Sequence, residues 1–138
     1  MAMNVLVATD GSEHSMKAVQ RAVELAEKEG AQITLMAVAL YAKDIDEMPL
    51  NIQDKLEAQA VAALDKAKAI FDAKGISIQR VLEAGIVPAN NIIRKAEEGK
   101  FDQILLGGTG VTGFKRALMG STAAKVVANA PCSVTVIR

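Results

Sequence analysis

Cysteine occurs once in the 138 residues, at Cys132. No internal disulfide can form, and no cysteine cluster exists to hold zinc or an iron–sulfur centre. Aromatic residues are nearly as scarce, with three Phe, one Tyr and no Trp. The core must therefore be aliphatic, built from Val, Ile, Leu, Ala and Met. Neither sign of charge is in excess, since 16 Lys and Arg balance 16 Asp and Glu. That balance argues against a dedicated binder of nucleic acid or anionic membrane, whose electrostatic footprint is basic. No basic patch precedes the first apolar run, Val5–Ala8, and the run is too short for a signal peptide or a membrane span. A reducing cytoplasm is the expected compartment.

What is present is apolar content, at 51% of the chain. A chain of this length can bury roughly 70% of its unfolded surface. No linker, internal repeat or low-complexity segment interrupts it, so one domain over residues 1–138 is expected. The hydrophobic period alternates between two types. Asn4–Ala8 reads as a strand covered on both faces. Ser12 caps a helix carrying Met16, Val19, Ala22, Val23 and Ala26 at spacings of three and four, and Gly30 stops it. Gln32–Ala39 is the second strand, and residues 40–51 read as a surface loop with Asp44, Asp46 and Glu47 as solvated charges. A long helix follows, with Ile52, Leu56, Ala60, Ala63, Leu64, Ala67 and Ile70 on one face and Gly75 at its end. Ser77–Ala84 is the third strand. Pro88 opens a helix carrying Ile92, Ile93 and Ala96, stopped by Gly99. Asp102–Leu106 is the fourth strand, Gly107 to Gly120 is glycine-rich, and Ser121–Asn129 is a short helix with Val126 and Val127 facing inward. After Pro131, Ser133–Ile137 is the fifth strand. Strict alternation predicts an α/β fold: an open parallel five-stranded sheet, helices on both faces, strand order 3-2-1-4-5.

Ligands of such sheets bind beyond the carboxyl ends of the strands, where the winding direction reverses. The predicted order brings two remote segments to that point: Ala8-Thr9-Asp10-Gly11-Ser12 after strand 1, and Gly107-Gly108-Thr109-Gly110 after strand 4. Gly107 and Gly110 would let a ligand approach the backbone closely. Gly120 and Ser121 open the fourth helix, whose free N–H groups and dipole suit an anion. Ser121 and Thr122 add hydroxyls, and Lys115 and Arg116 could reach a phosphate tail. Asp10 could accept from ribose hydroxyls or cap the first helix. Gly108-x-Gly110-x-x-Gly113 satisfies the dinucleotide fingerprint in letters only. It follows the fourth strand rather than the first, no helix opens until Gly120, and position 133 is Ser where an acid is needed. No Gly-Lys-Ser/Thr triplet follows the glycines, which excludes a Walker-type loop.

The spacing Gly107-x2-Gly110-x9-Gly120-Ser121, together with VLVATDGSEHS at the start and APCSVTVIR at the end, resembles the ATP-binding branch of the universal stress protein family over the whole chain. The resemblance implies a Rossmann-like domain, a homodimer, and ATP as the ligand, with or without Mg2+. Carried over, Asp10 would bind the ribose or lie beside the adenine, and Ala8, Thr9 and Val38 would line the base. Gly107, Thr109 and Gly110 would contact ribose and phosphates, and Gly120, Ser121 and Thr122 would hold the β and γ phosphates. Two departures stand out. Ala123 occupies a position where many nucleotide-binding relatives have a hydroxyl, and Gly85-Ile86-Val87-Pro88 is one residue longer than the usual glycine-x-proline turn.

Each feature also has a plainer account. Glycine-rich turns follow strands in many α/β folds, and Asp10 taken alone is a turn or capping residue. His14, the only histidine, reads as an exposed helix-start residue, and Cys132 as a small buried apolar one. The methionines read as scattered core and loop fillers. No Ser/His/Asp grouping, metal triad or poised base stands out. The expectation is a nucleotide-binding regulator with at most slow ATP hydrolysis. A nucleotide-free dimeric interaction module and a weak ATPase or phosphotransferase are the alternatives. Strand 5 would be a sheet edge of β-branched residues with no charge or proline, so antiparallel pairing of two Ser133–Ile137 strands is the expected dimer contact.

Overall fold

The computed structural model describes residues 2–42, 48–108 and 119–138. Nine elements alternate along it: β1 (Asn4–Ala8), α1 (Glu13–Glu29), β2 (Gln32–Ala39), α2 (Leu50–Asp72), β3 (Gln79–Ala84), α3 (Pro88–Glu98), β4 (Gln103–Gly107), α4 (Ser121–Asn129) and β5 (Ser133–Ile137). The five strands are all parallel and lie in the order β3-β2-β1-β4-β5. This is the predicted fold. Boundaries moved where pairing decided them. β3 starts at Gln79, the first residue with a partner (Thr34) on β2, so Ser77 and Ile78 precede it. β4 extends to Gly107 because that glycine still pairs with Ile137. Residues 50 and 51 are already helical rather than loop.

Alternation of side chains along the strands builds two cores. Val5, Val7, Ile33, Leu35 and Leu105 face α1 and α2, where they meet Val19, Val23, Leu64 and Phe71. Leu6, Met36, Ile104 and Leu106 face α3 and α4, against Ile92, Ala96 and Val126. Continuous apolar runs in β1, β2 and β4 are thus buried on both sides, as strands covered by two helical layers must be.

Two expectations about the helices fail. Val127 is 48% exposed while Val126 is fully buried. Successive residues on a helix are rotated by about 100°, and on this short helix that turns Val127 away from the sheet that Val126 faces. Ile52 is likewise exposed, because α2 first meets the core at the half-buried Leu56 and has fully buried residues only from Ala60 onward. α1 buries Ala18 and Leu25 as well as Val19, Ala22 and Val23, and it ends at Gly30 in the left-handed region (φ 68°), as glycine permits.

Candidate functional site

A cleft of about 330 Å³ opens at the carboxyl ends of β1, β2 and β4, where the winding reverses. Its apolar wall comes from Ala8, Met36, Val38 and Leu40 on the strand ends, with Pro88 and Ile92 of α3. Its polar wall comes from Thr9, Asp10, Ser12 and Ser15 on one side and Gly120, Ser121 and Thr122 on the other. Eight of the ten residues singled out as binding lie together here: Ala8, Thr9, Asp10, Val38, Gly107, Gly120, Ser121 and Thr122. The other two, Thr109 and Gly110, lie outside the described residues, as do Gly113, Lys115 and Arg116.

The β1 side is built by a tight turn. Ser12 N–H donates to Asp10 Oδ1 at 2.9 Å, a side-chain-to-backbone closure typical of aspartate in turns. Ser12 then caps α1, its hydroxyl accepting from Ser15 N–H at 3.3 Å. Gly11 takes a positive φ of 81° between them, which an L side chain rarely adopts. The plainer account of Asp10 as a turn residue is therefore true, and its carboxylate still lines the cleft.

The β4 side is tied together across the 109–118 segment. Gly108 N–H donates to the Ile137 carbonyl at 2.7 Å, and Gly120 N–H donates to the Gly108 carbonyl at 2.6 Å. Those bonds set the start of α4 beside the end of β4. Gly120 is the N-cap residue and supplies no side-chain cap. Gly107 has a second role that spacing did not reveal. A Cβ built on it would lie 2.7 Å from both the carbonyl carbon of His14 and the nitrogen of Ser15. The missing side chain lets the first turn of α1 lie directly on β4. His14 itself is half-buried rather than exposed.

Sequence reasoning missed Ser15, Met36, Leu40, Pro88 and Ile92 as lining residues. Only Ser15 left a signal, as the second hydroxyl in Ser12-Glu13-His14-Ser15. The long turn Gly85-Ile86-Val87-Pro88 is clamped at its start: Gly85 N–H donates to the Ala39 carbonyl at 2.9 Å, and Asn91 Nδ2 donates to Glu83 at 2.9 Å and to the Ala84 carbonyl at 3.2 Å. The clamp delivers Pro88 to the cleft. Cys132 lies outside the cleft lining, half-buried against the α3–α4 core, and burial pushes its thiol up, with the Asp102 charge adding to the effect. Among the described residues no helix is long and apolar enough to cross a membrane.

The family model for the universal stress protein family matches residues 1–138. A universal stress protein of Methanocaldococcus jannaschii is 34% identical, the alignment covering 97% of this chain and 81% of that protein. Among solved structures, the universal stress protein UspA from Lactobacillus plantarum superposes with a TM-score of 0.85 at 30% identity, covering 99% of this chain and 97% of that one. A universal stress protein solved in complex with cAMP shares the fold, with a TM-score of 0.74 at 24% identity and coverage of 99% and 97%.

Proposed function

The chain belongs to the universal stress protein family, and from that premise we propose that it is a regulatory, cytoplasmic protein of one domain that binds ATP in the cleft between β1 and β4 and works as a homodimer. The observation that carries the nucleotide reading is the division of the cleft. One wall is apolar and suits a base, and the other ends at the uncapped start of α4, which suits phosphate. Its volume falls in the range of roughly 300–1,000 Å³ usual for small-molecule sites. A relative that binds cAMP supports an adenine-type ligand. In this reading Ala8, Val38 and Met36 flank the base, and Asp10 accepts from the ribose. Gly120, Ser121 and Thr122, with Thr109 and Gly110 of the intervening loop, hold the phosphates. Mg2+ enters only as the counter-ion the phosphates carry. Hydrolysis is slow at most, because Asp10, the carboxylate among the described lining residues, stands at the β1 end rather than at α4.

The dimer reading rests on the unequal edges of the sheet. β3 carries Arg80, paired with Asp65 at 2.6 Å, and Glu83, paired with Arg94. Charges of this kind blunt an edge. β5 reads SVTVI, with no charge and no proline.

Calorimetric titration with ATP, repeated on Gly110→Val, tests the site. Heat for the unsubstituted chain and none for the variant is the expected result, whereas equal heats contradict it. Size-exclusion chromatography with light scattering tests the dimer, which a stable monomer at micromolar concentration would remove.

A further inference from the structure

The Asp10 turn is braced on its Gly11 and Ser12 side by hydrogen bonds of the protein's own. Gly11 N–H donates to Thr9 Oγ1 at 3.2 Å, and Lys66 Nζ on α2 donates to the Gly11 carbonyl at 3.3 Å. The Ser12 carbonyl accepts from Met16 N–H and from the Ser15 hydroxyl, both at 2.9 Å. Thr9 and Ser15 are buried, at 5% and 4% exposure, and their hydroxyl oxygens are 3.1 Å apart. A hydroxyl has one proton. The Ser15 proton goes to the Ser12 carbonyl, so Thr9 must donate to Ser15. The result is a directional relay: Gly11 N–H to Thr9, Thr9 to Ser15, Ser15 to the Ser12 carbonyl.

This relay is not needed to cap α1. The cap uses the Ser15 backbone N–H and the Ser12 hydroxyl, neither of which involves the Ser15 side chain. What the relay does is join the last residues of β1 to the first turn of α1 across the Asp10 turn. It holds Gly11 at its positive φ and so fixes where the Asp10 carboxylate stands, with Oδ1 engaged by Ser12 N–H. We infer that Thr9 and Ser15, whose hydroxyls are engaged with each other in the cleft wall, are positioning residues of the nucleotide site that act through Asp10. The inference rests on the nucleotide reading above. Without Ser15 Oγ, Thr9 loses its buried acceptor and turns away from Gly11. Asp10 then meets the ligand from a turn that is no longer held.

The test is a double-mutant cycle on ATP affinity, measured by calorimetry. Ser15→Ala is expected to weaken ATP about tenfold, the scale of one buried hydrogen bond. In an Asp10→Asn background the same change is expected to cost less than about twofold, because the group it positions is already disabled. Thr9→Val, which keeps the shape and removes the hydroxyl, should behave like Ser15→Ala, and Thr9→Ser should restore affinity. Thr9→Val also serves should Ser15→Ala fail to fold. Equal losses in both backgrounds, or no loss in either, overturn the positioning role while leaving the nucleotide site standing. No binding by the unsubstituted chain overturns the nucleotide reading and this inference with it.

Discussion

α1 and α4 both begin at the cleft, and they begin differently. α1 is closed by its own sequence: Ser12 caps it, Glu13 sits in its first turn, and Asp10 closes the turn that leads in. Ser15 N–H is taken by the Ser12 hydroxyl and Ser12 N–H by the Asp10 carboxylate, and a negative charge is in place at the positive end of the helix dipole. α4 starts from Gly120, with no side-chain cap and no acid in its first turn. A helix start next to a cleft has unpaired donors that something must satisfy. At α1 the cap residue supplies a side-chain acceptor, and at α4 Gly120 supplies none. The contrast explains why a ligand with an apolar, hydroxyl-bearing end and an anionic end would lie one way round in this cleft.

The contrast can be broken from either side. The largest effect is expected at the junction of the two halves. Gly107→Ala places a methyl group within 2.7 Å of α1 backbone, and the shift it forces should cost about 3 kcal/mol of stability, read from urea denaturation midpoints. Next, closing α4 as α1 is closed should abolish the asymmetry. Gly120 has extended backbone (φ −62°, ψ 158°) that accepts a side chain. Gly120→Asp should weaken ATP roughly 100-fold by setting a carboxylate where phosphate binds, with thermal stability unchanged or slightly raised. Undiminished affinity would mean that α4 does not hold the phosphates. Smallest is the reverse change. Ser12→Ala opens α1 and should cost about 1 kcal/mol of stability, measured by thermal denaturation, with a far smaller loss of ATP affinity than Gly120→Asp. A larger loss would make the two helix starts equivalent and remove the distinction drawn between them.

Much of this was legible from spacing. The Ser12 cap, the Gly30 stop, Pro88 at the start of α3 and the start of α4 at Ser121 all carry local signals, because each depends on a few neighbouring residues. Strand order followed from alternation and handedness. The apolar side of the cleft was less legible. Val38 was found only through the family resemblance, and Met36 in β2, Leu40 just past it, and Pro88 and Ile92 on α3 carry no local signal that marks them as lining residues. Gly107 shows the limit most clearly: its glycine suited a ligand's approach, and the structure shows the α1 backbone pressed against it.

Local periodicity and capping chemistry act within a turn or two of chain, and they were enough to determine the elements, their sequence and the layered sheet. Which of Val126 and Val127 is buried and how far α2 runs before it meets the core depend on partners tens of residues away. Those choices belong to packing, because a residue's neighbours in space are set only when the sheet is assembled.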